Sequence, residues 1–183
     1  FSQLLDDQLI DEVRLSSLSS LKKRQSENLQ EKLNLLLSDS SERMRLEAVK
    51  SLYEMADDKI IYHILKLVKE GSLAERQQAV SLLSSSEKPE AEAFLLKAME
   101  TLVQGNCDPV IMLEVLEGSK KKSKNDFKVL VEAYDKKLAP LSITQKYVHA
   151  REGGNADRGR DIFYNHGAAQ CLRCHKVKGF GAD

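Results

Sequence analysis

The amino-acid sequence predicts an all-α protein: an α-solenoid of stacked helix pairs, followed by a short helical module of different character. Apolar residues recur at helical spacing from about residue 4 to residue 138, and the breaks between them fall at regular intervals. The first helices of successive pairs begin near Glu42, Leu73 and Pro109, which are 31 and 36 residues apart. Helix pairs of this period cannot bury their apolar faces alone, so they stack on one another. A helical bundle with pairs of uneven length stays the alternative architecture.

Start and stop signals place the individual helices. A first pair lies within residues 8–37, and the later helices are predicted over 43–55, 60–68, 73–83, 89–103, 109–116 and 126–138. Residues 39–41 and Ser72 are N-cap candidates, and Pro89 fits the first position of a helix. Gly71 follows a helix end, and Gly118 with the lysine-rich loop behind it is expected to end another helix.

Composition and charge exclude several classes of protein. With 42% hydrophobic and 31% charged residues, the chain is neither disordered nor a disulfide-dense miniprotein. No apolar stretch is long enough to predict a membrane span. The 28 basic side chains balance the 28 acidic ones, so no global charge favours nucleic acid. The run of Lys120, Lys121, Lys122 and Lys124 is interpreted as a solvated loop, with a binding patch as the alternative.

The character of the chain changes after Leu138. Ala139 and Pro140 end the last repeat helix, and Gly153 with Gly154 marks a second break. We therefore predict helical repeats over residues 1–138, a linker over 139–155 and a separate module over 156–183. Within the linker, residues 143–149 are expected to form a short helix docked on the repeats.

The module contains the only motif that predicts a specific chemistry. Residues 171–175 read Cys171-Leu172-Arg173-Cys174-His175, the C-x-x-C-H pattern of covalent c-type haem attachment. Two thiols three positions apart can add to the two vinyl groups at one edge of a porphyrin. The adjacent imidazole can then ligate the iron from below. Cys171 and Cys174 are thus the predicted cofactor-binding residues for haem c, and His175 is the predicted proximal ligand of the haem iron.

The cysteine pair has alternative interpretations. A structural zinc site needs two further Cys or His ligands, and His166 is the only close candidate. A thioredoxin-like dithiol needs flanking β-strands, of which the sequence shows no convincing sign. A purely structural pair of buried cysteines is a third alternative, and it does not explain the histidine that directly follows the second cysteine.

Resemblances to known families extend this interpretation. The pattern Arg-x-x-Ala-Val recurs at Arg45 and Arg76, 31 residues apart, and residues 25–138 resemble HEAT repeats. Residues 156–164 predict a helix with Gly159 and Phe163 on one face, followed by a loop, the motif and a glycine-containing loop. This order resembles the start of a cytochrome c domain, here as a truncated cytochrome c-like helical module. Together with 154–159, 168–171 and 173–177, it is similar to the PVC-type haem-binding C-x-x-C-H proteins.

The resemblance to that family implies a fragment of a larger, periplasmic, quinoprotein dehydrogenase-like protein. A β-propeller often present in the family is not in this chain, so any oxidation of a sugar or alcohol would belong to sequence outside it. The chain opens with Phe1 and shows no export leader, so we expect a fragment or a processed piece. The implied function is electron transfer with a donor or acceptor protein or domain.

The distal side of the haem departs from the family pattern. The family continues through a distal ligand, usually Met, and a closing helix, whereas this chain has eight residues after His175. His166 is considered as a substitute ligand and disfavoured. The methionines fall in the repeats and are expected to pack in the core; they are Met44, Met55, Met99 and Met112. An open iron site acting on peroxide or a small gas is a further alternative, as is an apo helical-repeat scaffold with an unloaded motif.

Three other residues are given structural interpretations. His63 lies inside an apolar helix and is expected at the edge of the core. Cys107 is expected to be a free thiol in a turn. His149 lies in the linker, where it is expected to contact the module that follows the linker.

Overall fold

The computed structural model describes residues 6, 9–57, 59–152 and 154–182, and within these ranges regular secondary structure is helical. One isolated antiparallel bridge joins Val177 and Phe180. The all-α prediction is confirmed. Gly153, one of the predicted linker glycines, lies outside the described residues. The helices are α1 Asp11–Lys23, α2 Leu29–Leu36, α3 Glu42–Glu54, α4 Ile60–Glu70, α5 Leu73–Ser85, α6 Pro89–Gln104, α7 Met112–Lys120, α8 Asn125–Leu138, α9 Ile143–Lys146, α10 Val148–Glu152 and α11 Ala156–Asn165.

Local capping signals account for the agreement between predicted and observed helix starts. Ser41 caps α3, since its hydroxyl oxygen accepts a hydrogen bond from the Met44 amide at 3.4 Å. Ser72 and Glu75 form a capping box at α5: the Glu75 amide donates to Ser72 Oγ, and the Ser72 amide donates to Glu75 Oε2 at 2.8 Å. Pro89 is the first residue of α6.

Helices α1 and α3 to α8, which lie in the segment predicted as repeats and are called the repeats below, pack in two layers with the core between them. Helices α1, α3, α5 and α7 lie side by side in chain order, while α4, α6 and α8 follow one another in the second layer. Consecutive helices such as α4 and α5 join the layers. One continuous apolar cluster fills the space between them, with Leu33, Leu52, Val80 and Met99 fully buried.

A charged side chain connects each first helix to the next one. Arg14, Arg45 and Arg76 occur at intervals of 31 residues, at corresponding places in α1, α3 and α5. Each contacts an acidic side chain at or just before the next first helix; the pairs are Arg14 with Asp39, Arg45 with Glu75 and Arg76 with Asp108. The Arg-x-x-Ala-Val pattern did not include Arg14, because Ser17 and Leu18 replace the alanine and the valine in α1.

Gly118 was predicted to end a helix, and this prediction is wrong. It lies inside α7, which continues to Lys120. A Cβ at Gly118 would overlap the Cβ of Ser84 in α5, so this glycine lets the two helices approach closely. The predicted start at Pro109 is also modified, because residues Pro109–Ile111 form a 3-10 turn ahead of α7.

The methionines meet the prediction in three of four cases. Met44 and Met99 are fully buried, and Met112 packs against the core while partly exposed. Met55 is 44% exposed, so its assignment to the core is wrong. It is the C-cap of α3, where the chain leaves the helix and helical spacing no longer determines which way a side chain points.

The lysine run is exposed apart from the half-buried Lys122, as expected of a solvated loop, and two of its side chains also contact the preceding helix pair. Lys122 Nζ donates to the Ser86 carbonyl oxygen at 2.8 Å, and Lys124 Nζ donates to the Glu92 carboxylate at 2.5 Å. These contacts join the α7–α8 turn to the preceding helix pair. Among the described residues, no helix is both long and apolar enough to cross a membrane, as the sequence predicted.

Candidate functional site

The segment predicted as a linker contains two short helices, and the second packs on the repeats. Helix α10 contacts α7 and the 3-10 turn that precedes it. The His149 ring of α10 lies 6.2 Å from the Tyr134 ring and 6.3 Å from the Tyr147 ring, measured between centroids. Burial lowers the pKa of His149, with the nearby Lys120 charge adding to the effect. His149 therefore contacts α8, which precedes the linker, through Tyr134, and not the module after the linker with which contact was predicted.

A hydrogen bond ties the start of α11 to the repeats. Asn155 Nδ2 donates to Gln77 Oε1 of α5 at 3.3 Å, and Gln77 Nε2 donates to the Val110 carbonyl oxygen at 3.1 Å. Asn155 also caps α11, because its Oδ1 accepts from the Arg158 amide at 2.9 Å. The helix before the motif thus begins at a point fixed on α5. No sequence pattern pointed to Gln77, since its partner lies 78 residues away.

Glu114 of α7 is a buried acidic residue. Burial raises the pKa of the Glu114 carboxyl group, and the Arg158 guanidinium partly opposes this effect.

The C-x-x-C-H motif folds into one tight turn. Cys171–Arg173 form a 3-10 turn, and the Cys171 carbonyl oxygen accepts hydrogen bonds from the amides of Cys174 at 3.2 Å and His175 at 2.9 Å. Both thiols are free, Cys171 partly buried and Cys174 exposed, and His175 is also exposed. The structure thus brings the three predicted site residues, Cys171, Cys174 and His175, into a single turn.

A small hairpin folds back over the motif. Lys178 and Gly179 both have positive φ, as a two-residue type I′ turn requires, and the amides and carbonyls of Val177 and Phe180 pair across it at 2.9 and 3.0 Å. Gly181 has a φ of +117°, and a Cβ there would overlap the His175 carbonyl oxygen. The backbone at Gly181 therefore packs directly against the backbone of His175. The Lys-Gly dipeptide was the available sequence signal for this hairpin.

The module has no core of its own among the described residues. From residue 154 to residue 182, no residue whose side chain the structure describes is buried. Ile162, Val177 and Phe180 are apolar side chains left on the surface, and Phe180 is 66% exposed. Phe180 and Tyr164 line a groove of about 470 Å³ together with the polar residues Arg160, Asp161 and Asn165. The helix before the motif and the hairpin after it therefore enclose a partly apolar concave surface.

The remaining candidates do not join the motif. His166 Nδ1 accepts a hydrogen bond from the Ala169 amide at 3.0 Å, so its ring is engaged with its own loop. Within the described residues, no group of three or more His, Cys, Asp or Glu side chains is placed to hold a metal ion. The further ligands that the zinc alternative requires are not assembled there. His63 is half-buried, as predicted for the edge of the core.

Cys107 differs from its prediction in one respect. It is a free thiol, but it is buried and belongs to the core cluster. Burial raises the pKa of its thiol to about 11, because the thiolate is poorly solvated there. Cys107 therefore lacks the reactivity expected of an attachment site at neutral pH.

No family model, curated protein or solved structure matches this chain. The local geometry of the motif and its flanks therefore carries the functional argument.

We expect acidification to weaken the docking of α10 on the repeats. The pKa of His149 is lower in the docked state than its ordinary value of about 6.5. Below about pH 6.5 the undocked state therefore binds a proton that the docked state resists, so docking stability falls as the pH falls. Lys120 disfavours the protonated ring, whereas Glu117 and Asp135 favour it. Amide hydrogen exchange in residues 148–152 should be faster at pH 5.5 than at pH 7.5, after correction for intrinsic rates.

His149→Phe is the control for this effect, because it keeps an aromatic ring but cannot bind a proton. In that variant, protection of α10 should be the same at both pH values. Equal protection in the wild-type protein at both pH values would rule out a role for His149.

Proposed function

We propose that this chain binds haem c covalently and takes part in electron transfer in the periplasm or another exported location. Cys171 and Cys174 would form the two thioethers, and His175 would be the proximal ligand of the haem iron. The observation that carries the proposal is the turn itself: two free thiols three positions apart, followed by an exposed imidazole, in a turn closed by the backbone amides of Cys174 and His175 on the Cys171 carbonyl oxygen.

The residues present suit a covalently held haem. Thiols and an imidazole are the donor set that this cofactor requires. The apolar side chains of Ile162, Val177 and Phe180 lie on the surface of the same module. Covering them with a large apolar group would remove apolar area from water and so stabilise a segment that lacks a core.

The haem supplies one-electron redox chemistry when it is bound. The chain's own residues would anchor the group and keep His175 oriented. The amide of His175 donates to the Cys171 carbonyl oxygen, and Gly181 allows the chain to pass over its backbone. Phe180 and Tyr164 would reduce the access of water from the side of the groove. All four methionines lie outside residues 156–183, so none of the module's own residues is a methionine ligand.

We also propose that the repeats form a HEAT-like α-solenoid that positions the module. The two helical layers and the arginine contacts at intervals of 31 residues support this architecture. On this proposal, residues 139–155 connect the solenoid to the N-terminal part of a cytochrome c domain. The partner would be an electron donor or acceptor protein or domain. Any sugar or alcohol dehydrogenase activity would belong to a part of the protein outside this chain.

A scaffold without haem is the second candidate function. It is favoured by the repeats having a continuous core of their own, whereas the module has no buried residue in its described part. Such a protein would use the solenoid surface to bind a partner and would leave the motif unloaded.

The deciding experiment is export of the chain in a host that matures c-type cytochromes, followed by intact mass under denaturing conditions. Addition of the mass of one haem, with sharp visible bands in the reduced-minus-oxidised spectrum, is the expected result. An unmodified mass and a colourless protein would overturn haem binding and favour the scaffold. The same chain retained in the cytoplasm is the control, since it meets no attachment machinery.

A further inference from the structure

A largely apolar groove of about 590 Å³ opens between two turns of the repeats. One turn joins α3 to α4, and the other joins α5 to α6. Ile60 and Ile61, whose side chains are buried, line the groove together with Tyr53 and Pro89. Both turns connect the two helices of one pair, so they lie at the same edge of the two layers. The repeats therefore present a concave apolar surface at this edge.

Acidic side chains border this surface. Three acidic residues and one basic residue line it; they are Glu54, Asp57, Glu87 and Lys88. The Asp57 carboxylate accepts hydrogen bonds from uncharged donors, the Gln30 side-chain amide at 3.0 Å and a backbone amide at 2.9 Å. Glu87 is exposed, while Glu54 contacts Lys22 Nζ at 3.2 Å. We name the surface the acidic groove, because its border favours a positively charged occupant.

The segment that contains α9 has the opposite chemistry. No acidic residue occurs between Asp135 and Glu152, whereas Lys136 and Lys146 lie on either side of the turn into α9 or within it. Three apolar side chains of this segment remain on the surface; Leu141 is 37%, Ile143 is 74% and Tyr147 is 60% exposed. Helix α9 is thus an apolar projection with basic residues beside it.

The acidic groove and α9 lie at opposite edges of the two layers. Helix α8 begins at the edge of the groove and spans about 21 Å to the other edge, since it has 14 residues at about 1.5 Å each. There Lys137 donates to the Val103 carbonyl oxygen near the end of α6, and α9 follows. Helix α9 therefore lies away from the groove of its own chain, whereas a second copy presents an unoccupied α9.

We propose that α9 of one copy docks in the acidic groove of another copy, so that the chain associates head to tail. Docking would remove Leu141 and Ile143 from water against the side of the groove that contains Ile60 and Ile61. Lys146 would approach the carboxylates of the border. This inference goes beyond the proposed haem function and does not depend on it.

The geometry determines what kind of assembly results. The contact joins two different surfaces, so each copy keeps one groove and one α9 for a further neighbour. One short helix covers less than the roughly 800 Å² per partner of a standard stable interface. The association should therefore be weak, depend on protein concentration and weaken with salt.

The first experiment is sedimentation velocity of the whole chain over a hundredfold range of concentration at low salt. The weight-average mass of the wild-type chain should rise with concentration. The groove variant, Glu54→Lys with Glu87→Lys, should stay monomeric. Its control is Glu70→Lys with Glu100→Lys, which changes the net charge equally, and Glu70 contacts Lys66 as Glu54 contacts Lys22. This control should associate as the wild-type chain does.

A second pair of variants tests the docking helix. Ile143→Glu places a carboxylate on α9 and should also leave the chain monomeric. Val129→Glu is its control, because Val129 is an exposed apolar residue of α8 with an exposed fraction of 55%. Both substituted side chains are exposed, so neither variant should lose stability. A wild-type chain that is monomeric at every concentration would overturn the proposal, and so would association that survives both Ile143→Glu and the groove variant.

The second experiment tests the pairing of charges with a fluorescein-labelled peptide of residues 136–151, followed by anisotropy. Peptide affinity should fall at least tenfold in the groove variant and stay within twofold in its control. A peptide with Lys136→Glu, Lys137→Glu and Lys146→Glu should bind the groove variant more tightly than the wild-type chain. Absence of this reversal would overturn the proposal.

The two experiments together identify the occupant. Peptide binding by a chain that stays monomeric would overturn the second copy as the occupant and assign the acidic groove to another basic partner. Both readouts are independent of haem, so an unmodified intact mass would overturn the haem function and leave this inference in place. A haem adduct on a monomeric chain would overturn only self-association.

Discussion

Serine at both Cys171 and Cys174 should abolish every covalent haem adduct on the exported protein. The two thioethers are the only covalent bonds that the proposed function gives the cofactor, and serine hydroxyls do not add to vinyl groups in their place. Intact mass under denaturing conditions should shift from haem-loaded to unmodified chain. The single variants should each retain at most one thioether and load less haem.

Cys107→Ser is the matched control for this experiment. Cys107 is buried in the core, with its thiol pKa raised to about 11, so the variant should load haem as the wild-type chain does. His175→Ala separates attachment from ligation: it should retain some adduct mass but lose the low-spin visible spectrum. A haem adduct on the double serine variant would show that the motif is not the attachment site.

Asp39→Asn should destabilise the repeats by about 3–5 kcal/mol, the usual cost of removing one partner of a buried ion pair. The Arg14 guanidinium is 2% exposed and donates to the Asp39 carboxylate through two nitrogens. The substitution keeps the shape of the side chain and removes its charge, so the buried Arg14 guanidinium loses its closest carboxylate, while the Asp11 carboxylate remains 3.9 Å away. Urea unfolding followed by circular dichroism measures the change in the free energy of unfolding.

Glu92→Gln is the control on an exposed pair of the same kind. Its partner Lys124 is 64% exposed, so water replaces the lost contact, and the expected cost is under about 1 kcal/mol. Similar losses in the free energy of unfolding would show that burial does not make the Arg14–Asp39 pair more stabilising than an exposed pair.

The effect of Asp39→Asn should depend on pH. The hydrogen bonds from Arg14 hold the pKa of the Asp39 carboxyl group below its ordinary value. A lowered pKa means that this contribution is fully present above the ordinary value of about 3.9 and is lost as the pH falls through the lowered one. The wild-type protein and the variant should therefore converge in stability in strong acid.

Helix boundaries could be predicted where a local signal sets them. Ser41, Ser72 and Pro89 act on amides within one turn, so the sequence contains everything that places these helix starts. Gly118 was misinterpreted because a glycine that ends a helix and one that admits a neighbouring helix look alike in sequence. Only the position of Ser84 distinguishes them.

The candidate site also has one part that the sequence predicts and another that it does not. The spacing of Cys171, Cys174 and His175 is local, and the turn that gathers them is made by hydrogen bonds within five residues. The anchoring of α11 to Gln77 depends on a contact between residues 78 positions apart. Helical periodicity relates residues within a few turns, so no sequence pattern predicts a contact between residues this far apart.

The sequence by itself determined the all-α class, most helix boundaries and the residues of the C-x-x-C-H motif. These follow from interactions within one or two helical turns, which neighbouring residues specify. Only the tertiary structure decided that Gly118 lies inside α7, that Met55 is exposed, and that α10 docks through His149. These features depend on which surfaces meet when the layers pack, and packing is a property of the assembled core.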